Sequence, residues 1–311
     1  MRRLTAAVVP VVVAAGMTAL SAQQNPTFRT RTDVVTVNVS VTRGRTPVTG
    51  LVASDFEIRD KGVLQHVDEV LLDTAPLDVT LVLTGFRENL REEHDTGLDV
   101  AAALRPRITP ADRLRVVMVN DRIRGSLVQP DFQIPSRQVL RQSIPGVSVV
   151  DGLFYALAWP VEPGRRHLVV AFTDGWDQWS TLDADRLPKL AGHSDAVMHL
   201  ALWASPIGRS DRAEIGNPGA GAATFSSTSL QIRAWEETYR PIVSAAERTG
   251  GTFRPAGSAT QALEQILEDF RTSYVLRYAP KGVQAAGWHD LAVKVTRPGS
   301  YTIRARKGYE G

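Results

Sequence analysis

The 311-residue sequence contains no cysteine. That absence excludes disulfides, cysteine-ligated zinc, a thioether lipid anchor and a thiol nucleophile, so an apolar core must hold the fold. A chain of this length can bury enough surface for a core to suffice. There is also no low-complexity segment and no long run of like charge. Formal net charge is +3, and without Arg2 and Arg3 near the N-terminus it is +1. Such a balance lacks the basic footprint of a nucleic-acid binder. Catalytic signatures are missing too: there is no His-Glu-x-x-His, no phosphate loop and no dinucleotide fingerprint. The six histidines keep no ligand spacing, and His167 and His199 lie in or beside apolar runs, where a structural role is expected. "GHSDA" (192–196) approaches the Gly-x-Ser-x-Gly nucleophile elbow. That elbow needs strand, serine and helix in order, whereas Ser194 follows a helical segment and precedes a strand. No nucleophile can be paired with a base, so the sequence predicts a protein that is not an enzyme.

What is present begins with an apolar N-terminus. "MRR" supplies a positive end, "LTAAVVPVVVAAGMTAL" an apolar stretch and "SAQ" a small-residue exit, the make-up of a secretory signal over residues 1–24. A membrane anchor is the alternative; Pro10, the alanine content and the borderline length favour a cleaved signal, with cleavage within 21–24. No second long apolar stretch follows. The expectation is an exported chain, periplasmic or extracellular, with no membrane span after cleavage.

Residues 33–42, "DVVTVNVSVT", alternate cleanly: Val35, Val37, Val39 and Val41 point one way, and Thr36, Asn38, Ser40 and Thr42 the other. This predicts a half-buried strand of an antiparallel sheet. "RGRTPVTG" is turn chemistry, and "DFEIRDKGVLQHVDEV" reads as a hairpin turning at "DKG", so residues 25–75 form a small β unit. At Ala75-Pro76 the period changes. "VTLVL" is a continuous apolar run, the mark of a strand covered on both faces. Helical spacing follows over 88–105, then a buried strand at 113–120, a shorter edge strand at 122–129 and a short helix at 136–143. "DGLFYALAW" (151–159) predicts a helix with Asp151 as its N-cap. "HLVVAFTDG" (167–175) is a third buried strand, a helix covers about 183–191, and "VMHLALW" (197–203) is a fourth strand. Residues 204–234 are rich in Gly, Ser and Pro and predict a long flexible loop. Helices at 235–248 and 259–272 flank a short strand, "GGTFR". The tail returns to period two, with "SYVLRYAP", "HDLAVKVTR" and "YTIRARKGY" as three strands. Alternation in the middle, 76–272, predicts a parallel sheet wrapped by helices. The β flanks, 25–75 and 273–311, are each too small to bury a core, so they are expected to pair with one another.

Three blocks carry a family resemblance: "VTGLVASDFEIRDKGVLQHV" (48–67), "RRHLVVAFTDGWD" (165–177) and the closing "LRYAP…VKVTRP…IRARKGY". In combination they resemble the VWFA-related family of exported bacterial proteins, first grouped from Acidobacteria, within the von Willebrand factor type A-like domains. The resemblance covers nearly the whole mature chain. It implies an α/β fold: a doubly wound, mostly parallel sheet, with a small β-sandwich-like unit built from the N- and C-terminal strands. It also implies a metal-ion-dependent adhesion site at the C-terminal end of the central sheet. That site uses Asp-x-Ser-x-Ser after the first strand, a Thr from a later loop and an Asp ending the fourth strand. Members with the intact site hold Mg²⁺ or a similar ion, whose open position takes a carboxylate from a partner protein.

This chain departs from the pattern residue by residue. Thr84 stands at the leading Asp, Phe86 at the first Ser, Glu88 at the second Ser and Asp151 at the Thr; Asp174 is the ligand retained. Thr84, Glu88, Asp151 and Asp174 remain the candidate metal ligands, since hard cations accept oxygen donors. Three carboxylates, however, exceed a divalent charge, and such an ion would have little attraction for a partner's carboxylate. The structural readings are a first-turn acid for Glu88, an N-cap for Asp151, turn residues for Thr84 and Asp174, and packing over the sheet end for Phe86. The expectation is a turn that keeps the position of a metal site without its chemistry, with no cofactor; Mg²⁺ or another divalent cation is the alternative. The same sheet end is rich in aromatics. Phe86, Trp176, Asp177 and Trp179 form a predicted partner-binding rim, with packing under the 204–234 loop as the alternative for the tryptophans. The sequence therefore points to an exported, non-enzymatic protein-binding or adhesion module. Its rivals are a cation-dependent binder using the altered site, and a structural envelope protein touching an acidic polymer or lipid headgroup through Arg304, Arg306 and Lys307.

Overall fold

The computed structural model describes residues 34–72, 75–84, 104–119, 123–128, 147–173, 177, 179–202, 237–255 and 259–311. Among these, strands come first: β1 (Val35–Arg43), β2 (Thr46–Pro47), β3 (Phe56–Asp60), β4 (Val63–Gln65) and β5 (Glu69–Leu72). Three strands and then alternating helices and strands follow, as β6 (Leu77–Thr84), β7 (Arg113–Val119), β8 (Ile123–Val128), α1 (Val149–Ala158), β9 (Arg166–Thr173), α2 (Leu187–His193), β10 (Val197–Leu202), α3 (237–248), β11 (Phe253–Pro255) and α4 (Ala259–Arg271). The chain closes with β12 (Tyr274–Tyr278), β13 (Trp288–Val295), β14 (Thr302–Ala305) and β15 (Gly308–Glu310). The predicted signal, the predicted helices at 88–105 (save its last two residues) and 136–143, and the predicted loop at 204–234 lie outside the described residues.

The apolar runs form one sheet in the order β11-β10-β9-β6-β7-β8, parallel throughout except for β8, which pairs antiparallel at the edge. Every residue of β9 is buried, as a strand covered on both faces requires. On one face Leu77, Val79, Leu81 and Leu83 pack against Leu263, Ile266, Leu267 and Phe270 of α4. On the other, Val82, Val117, Val169 and Ala171 meet Leu153 of α1, Leu187 and Ala191 of α2, and Ile242 and Ala246 of α3. Each Val, Leu, Ile and Phe side chain among these contributes about 1.5–3 kcal/mol by leaving water. The sheet is thus doubly wound. Its strand order reverses between β6 and β9, which puts the topological switch point at their C-terminal ends.

The remaining strands make two antiparallel sheets that share a core. One has the order β14-β1-β12-β5, with β2 on β1; the other runs β15-β13-β3-β4. Val35, Val37, Val39 and Val41 turn inward, as their alternation predicts, onto Phe56, Ile58, Tyr274, Leu276 and Tyr278. The β3–β4 hairpin turns at Lys61 and Gly62, both at positive φ. One expectation is corrected: "YTIRARKGY" is not a single strand. It divides at Arg306–Lys307, so that β14 joins β1 and β15 joins β13 on the opposite sheet. The cause is Arg306, which is 7% exposed. Its guanidinium donates to Gly308 O (2.9 Å) and Gly192 O (2.9 Å), bending the chain to bring a charge inward. The cations of this segment are therefore engaged within the molecule: Lys307 pairs with Glu247, and Arg304 lies 3.7 Å from Asp269.

Buried polar groups tie the elements together. Asp60 accepts from Tyr278 Oη (2.9 Å), Tyr309 Oη (2.8 Å) and His289 Nδ1 (2.8 Å), linking the two sandwich sheets. Arg166, at the start of β9, donates to Phe270 O (2.8 Å), Ser273 Oγ (2.6 Å) and Asn38 Oδ1 (3.2 Å), fastening the parallel sheet to the sandwich. Near it, Arg115 donates to Thr80 Oγ1 (3.1 Å) and lies over the Trp159 ring at 4.0 Å, 3.8 Å from Asp78. Thr80 is then free to donate to His167 Nε2 (3.2 Å), which requires a neutral imidazole. Burial, reinforced by Arg115, pulls the His167 pKa from 6.5 to about 4.

This shift sets a pH dependence. Above pH 6.5 His167 is neutral in both folded and unfolded chains; as pH falls toward 4 only the unfolded chain takes up the proton, so stability is lost over that window. A loss of about 3 kcal/mol is expected, read as a fall in the urea midpoint between neutral pH and pH 4. His167→Gln should flatten that decline.

Candidate functional site

The switch point is where a doubly wound sheet places its ligands. β6 ends there at Thr84, opposite Val119 of β7, and β9 ends at Thr173. Of the predicted site residues, Phe86, Glu88, Asp174 and Trp176 lie outside the described residues, as does the side chain of Thr84. Asp151, Asp177, Trp179 and the backbone of Thr84 are placed.

The structure brings Asp151 and Asp177 into one hydrogen-bonded clasp. Asp177 Oδ1 accepts from the Val149 amide (3.0 Å) and from Ser180 Oγ (2.7 Å). Ser180 Oγ in turn accepts from the Asp151 amide (3.1 Å). The Asp151 carboxylate reaches back to the Thr181 amide (3.1 and 3.0 Å to its two oxygens) and the Leu182 amide (2.9 Å). The Trp179 amide closes the exchange on Val147 O (3.2 Å). Orphan donors at the head of α1 are thereby satisfied from the 177–182 segment, and that segment's own amides are satisfied from α1.

This arrangement corrects the predicted helix start. α1 begins at Val149, with Ser148 at the N-cap position making no side-chain cap bond. Asp151 sits in the first turn instead of capping it. The helix gains two residues because Asp177, distant in sequence, supplies the acceptor that a local cap would have provided. Ser180 was absent from the sequence-based candidates. Its signal lay in the Asp-x-x-Ser spacing of "DQWS", where a serine three residues on can bond the aspartate.

Burial raises the Asp177 carboxyl above its ordinary 3.8, against the hydrogen bonds from Ser180 and Val149, and the nearby Asp151 adds to the rise. Trp179 points outward and is 55% exposed; Leu182, three residues on, is 42% exposed. Beside them opens a cleft of about 840 Å³ between the 177–188 segment and α3, lined by Asp177, Leu182, Asp183, Asp185, Glu237 and Arg240 among others. Among the described residues no three His, Asp or Glu side chains converge as a metal would need. The Asp151 carboxylate accepts from two backbone amides, those of Thr181 and Leu182.

A scan against protein families finds no match, and a search of curated proteins by sequence finds none. Among solved structures the chain is similar to von Willebrand factor type A from Catenulispora acidiphila (10% identity, 91% of this chain and 75% of that one, TM-score 0.40). It is also similar to manganese-loaded TRAP protein from Plasmodium vivax (10% identity, 82% and 99%, TM-score 0.37). A third is proximal thread matrix protein 1 from the mussel byssus with a zinc-occupied MIDAS motif (16% identity, 68% and 50%, TM-score 0.42). The chain spans half the length of that mussel protein. These likenesses concern the fold alone; the strand order and the helices on both faces establish the doubly wound α/β class.

Removing the clasp should loosen α1. Asp177→Ala is expected to cost about 1–2 kcal/mol in urea denaturation, and Asp177→Asn, which keeps an acceptor, less. Because the folded carboxyl titrates above 3.8, its stabilising contribution is complete below that pH and falls as pH rises through the folded value; the Asn variant should lack this decline.

Proposed function

We propose that the chain is an exported, non-enzymatic protein-binding module that engages its partner at the C-terminal end of the parallel sheet without a metal ion. Phe86, Trp176, Asp177 and Trp179 form the contact rim. The reading takes residues 1–24 as the signal, 25–75 and 273–311 as one sandwich-like unit, and 76–272 as the von Willebrand factor A-like domain between its halves. It places the mature protein in the periplasm or outside the cell.

One observation carries the proposal: at the sheet end a tryptophan stands 55% exposed beside a carboxylate clasp whose bonding is directed inward. An exposed Trp is a large, rigid contact surface of the kind that dominates binding energy at interfaces. The Asp151 carboxylate is occupied by backbone donors, which supports a turn that has given up cation binding. No nucleophile–base pair is available in the sequence, which supports binding over catalysis.

Two measurements test this. Affinity capture from the native cell envelope should recover a partner with the wild-type chain and lose it with Trp176→Ala or Trp179→Ala; retention by both variants overturns the rim. Melting temperature should be the same in EDTA and in millimolar Mg²⁺, Mn²⁺ or Ca²⁺. A rise on adding metal that Asp174→Ala abolishes would instead establish a cation-dependent binder, since a ligand of the folded state raises the midpoint.

A further inference from the structure

We propose that the cleft beside the rim docks a cationic segment of the partner, a stretch in which Lys or Arg side chains flank an apolar residue. The inference rests on the protein-binding reading above and supplies the chemistry of what is bound.

Among the described residues the cleft is lined by Asp177, Asp183, Asp185 and Glu237 against one guanidinium, that of Arg240. The whole chain is net positive at +3, so this acidity is a local feature and not the character of the surface. Asp183, Asp185 and Glu237 are exposed and take no part in the clasp; Asp183 accepts from the Asp185 amide at 3.0 Å, and among the described residues the other two carboxylates have no hydrogen-bond donor. Their negative potential is therefore available to a ligand. Its sign opposes nucleic acid and other polyanions.

The spacing of the acids separates a peptide from a metal ion. Among the described residues no three acidic side chains converge on a common point. Carboxylates distributed along a cleft cannot coordinate one small cation, but they can each face a different ammonium or guanidinium on an extended chain. The apolar component comes from Leu182, which lines the cleft, and from Trp179 at its approach; both are exposed large apolar groups in a soluble context, three residues apart. A Lys or Arg side chain suits this mixture, because its stem can lie on the apolar surface while its charged head reaches a carboxylate. The other concentrations of charge, around Asp60 and around Arg115, are sealed from solvent and give no ligand access.

The test uses the full mature chain and two synthetic peptides, one alternating Lys and Leu and one with Glu in place of each Lys, with binding followed by tryptophan fluorescence and calorimetry. The Lys peptide should bind and the Glu peptide should not. Binding should weaken at high salt and by about tenfold or more in Asp185→Lys/Glu237→Lys, a pair of exposed substitutions whose unchanged melting temperature verifies the fold. Trp179→Ala should weaken it without removing its salt dependence. Failure of the wild-type chain to bind the Lys peptide, or equal binding by the charge-reversed variant, overturns the proposal. So does a melting-temperature rise in Ca²⁺ or Mg²⁺ alone that the charge reversals abolish, which would make the cleft a cation site. Envelope capture that depends on Trp176 and Trp179 while the Lys peptide fails to bind would leave the protein-binding reading standing and remove only this one. Peptide binding together with capture that ignores both tryptophans would remove the rim and leave the cleft as the contact.

Discussion

Every residue of β9, from Arg166 to Thr173, is withdrawn from water, and much of the molecule is arranged to meet that condition. A strand apolar on both faces has to be covered on both sides, so α4 packs on one face while α1, α2 and α3 pack on the other. The crossings that bring those helices round also fix the strand order, with β6 and β9 adjacent at the centre. The switch point at the C-terminal ends of β6 and β9 follows from this geometry.

The same burial makes the polar residues at its margins expensive to leave alone, and several are resolved by partners from far along the chain. Arg166 begins the most buried strand yet carries a charge, so it reaches out of the sheet to Asn38, Phe270 and Ser273. Arg306 does the corresponding service at the other end of the sandwich by donating to Gly192 of α2. Gly250, at φ +82, must lack a side chain there, because a Cβ would come within 2.6 Å of the Arg306 amide. Asp60 collects three donors from β12, β13 and β15, which makes one carboxylate the crosslink between two sheets. A buried charge left without such partners would cost several kcal/mol, which is why these residues join elements instead of disrupting them.

At the sheet end the acidic residues follow the same rule. Asp151 and Asp177 each accept from the other's segment, so the turn is held by exchange of backbone and side-chain hydrogen bonds. Both carboxylates are thereby spent on holding α1 to the 177–182 segment. What the turn presents outward is apolar surface, Trp179 and Leu182, with exposed acids further along the cleft.

Much of this was legible in the residues themselves. Period two in β1, continuous apolar runs in β6, β7 and β9, and helical stripes in α3 and α4 declare their elements because burial of side chains at a fixed spacing is a local property. The "DKG" turn is equally local, since Gly62 accepts the positive φ that a tight hairpin needs. The beginning of α1, the division of "YTIRARKGY" and the role of Ser180 were not legible. Each is decided by a partner more than 20 residues away or by a neighbouring strand: Asp177 for Val149, Gly192 for Arg306, and the Asp151 amide for Ser180. Among the described residues, the sequence by itself determined most of the segments that are strands and helices, that two β flanks pair with one another, and that the centre is a parallel sheet. Only the tertiary structure decided where each polar side chain spends its hydrogen bonds, because that choice depends on which unsatisfied donors and acceptors the folded chain brings within about 3 Å.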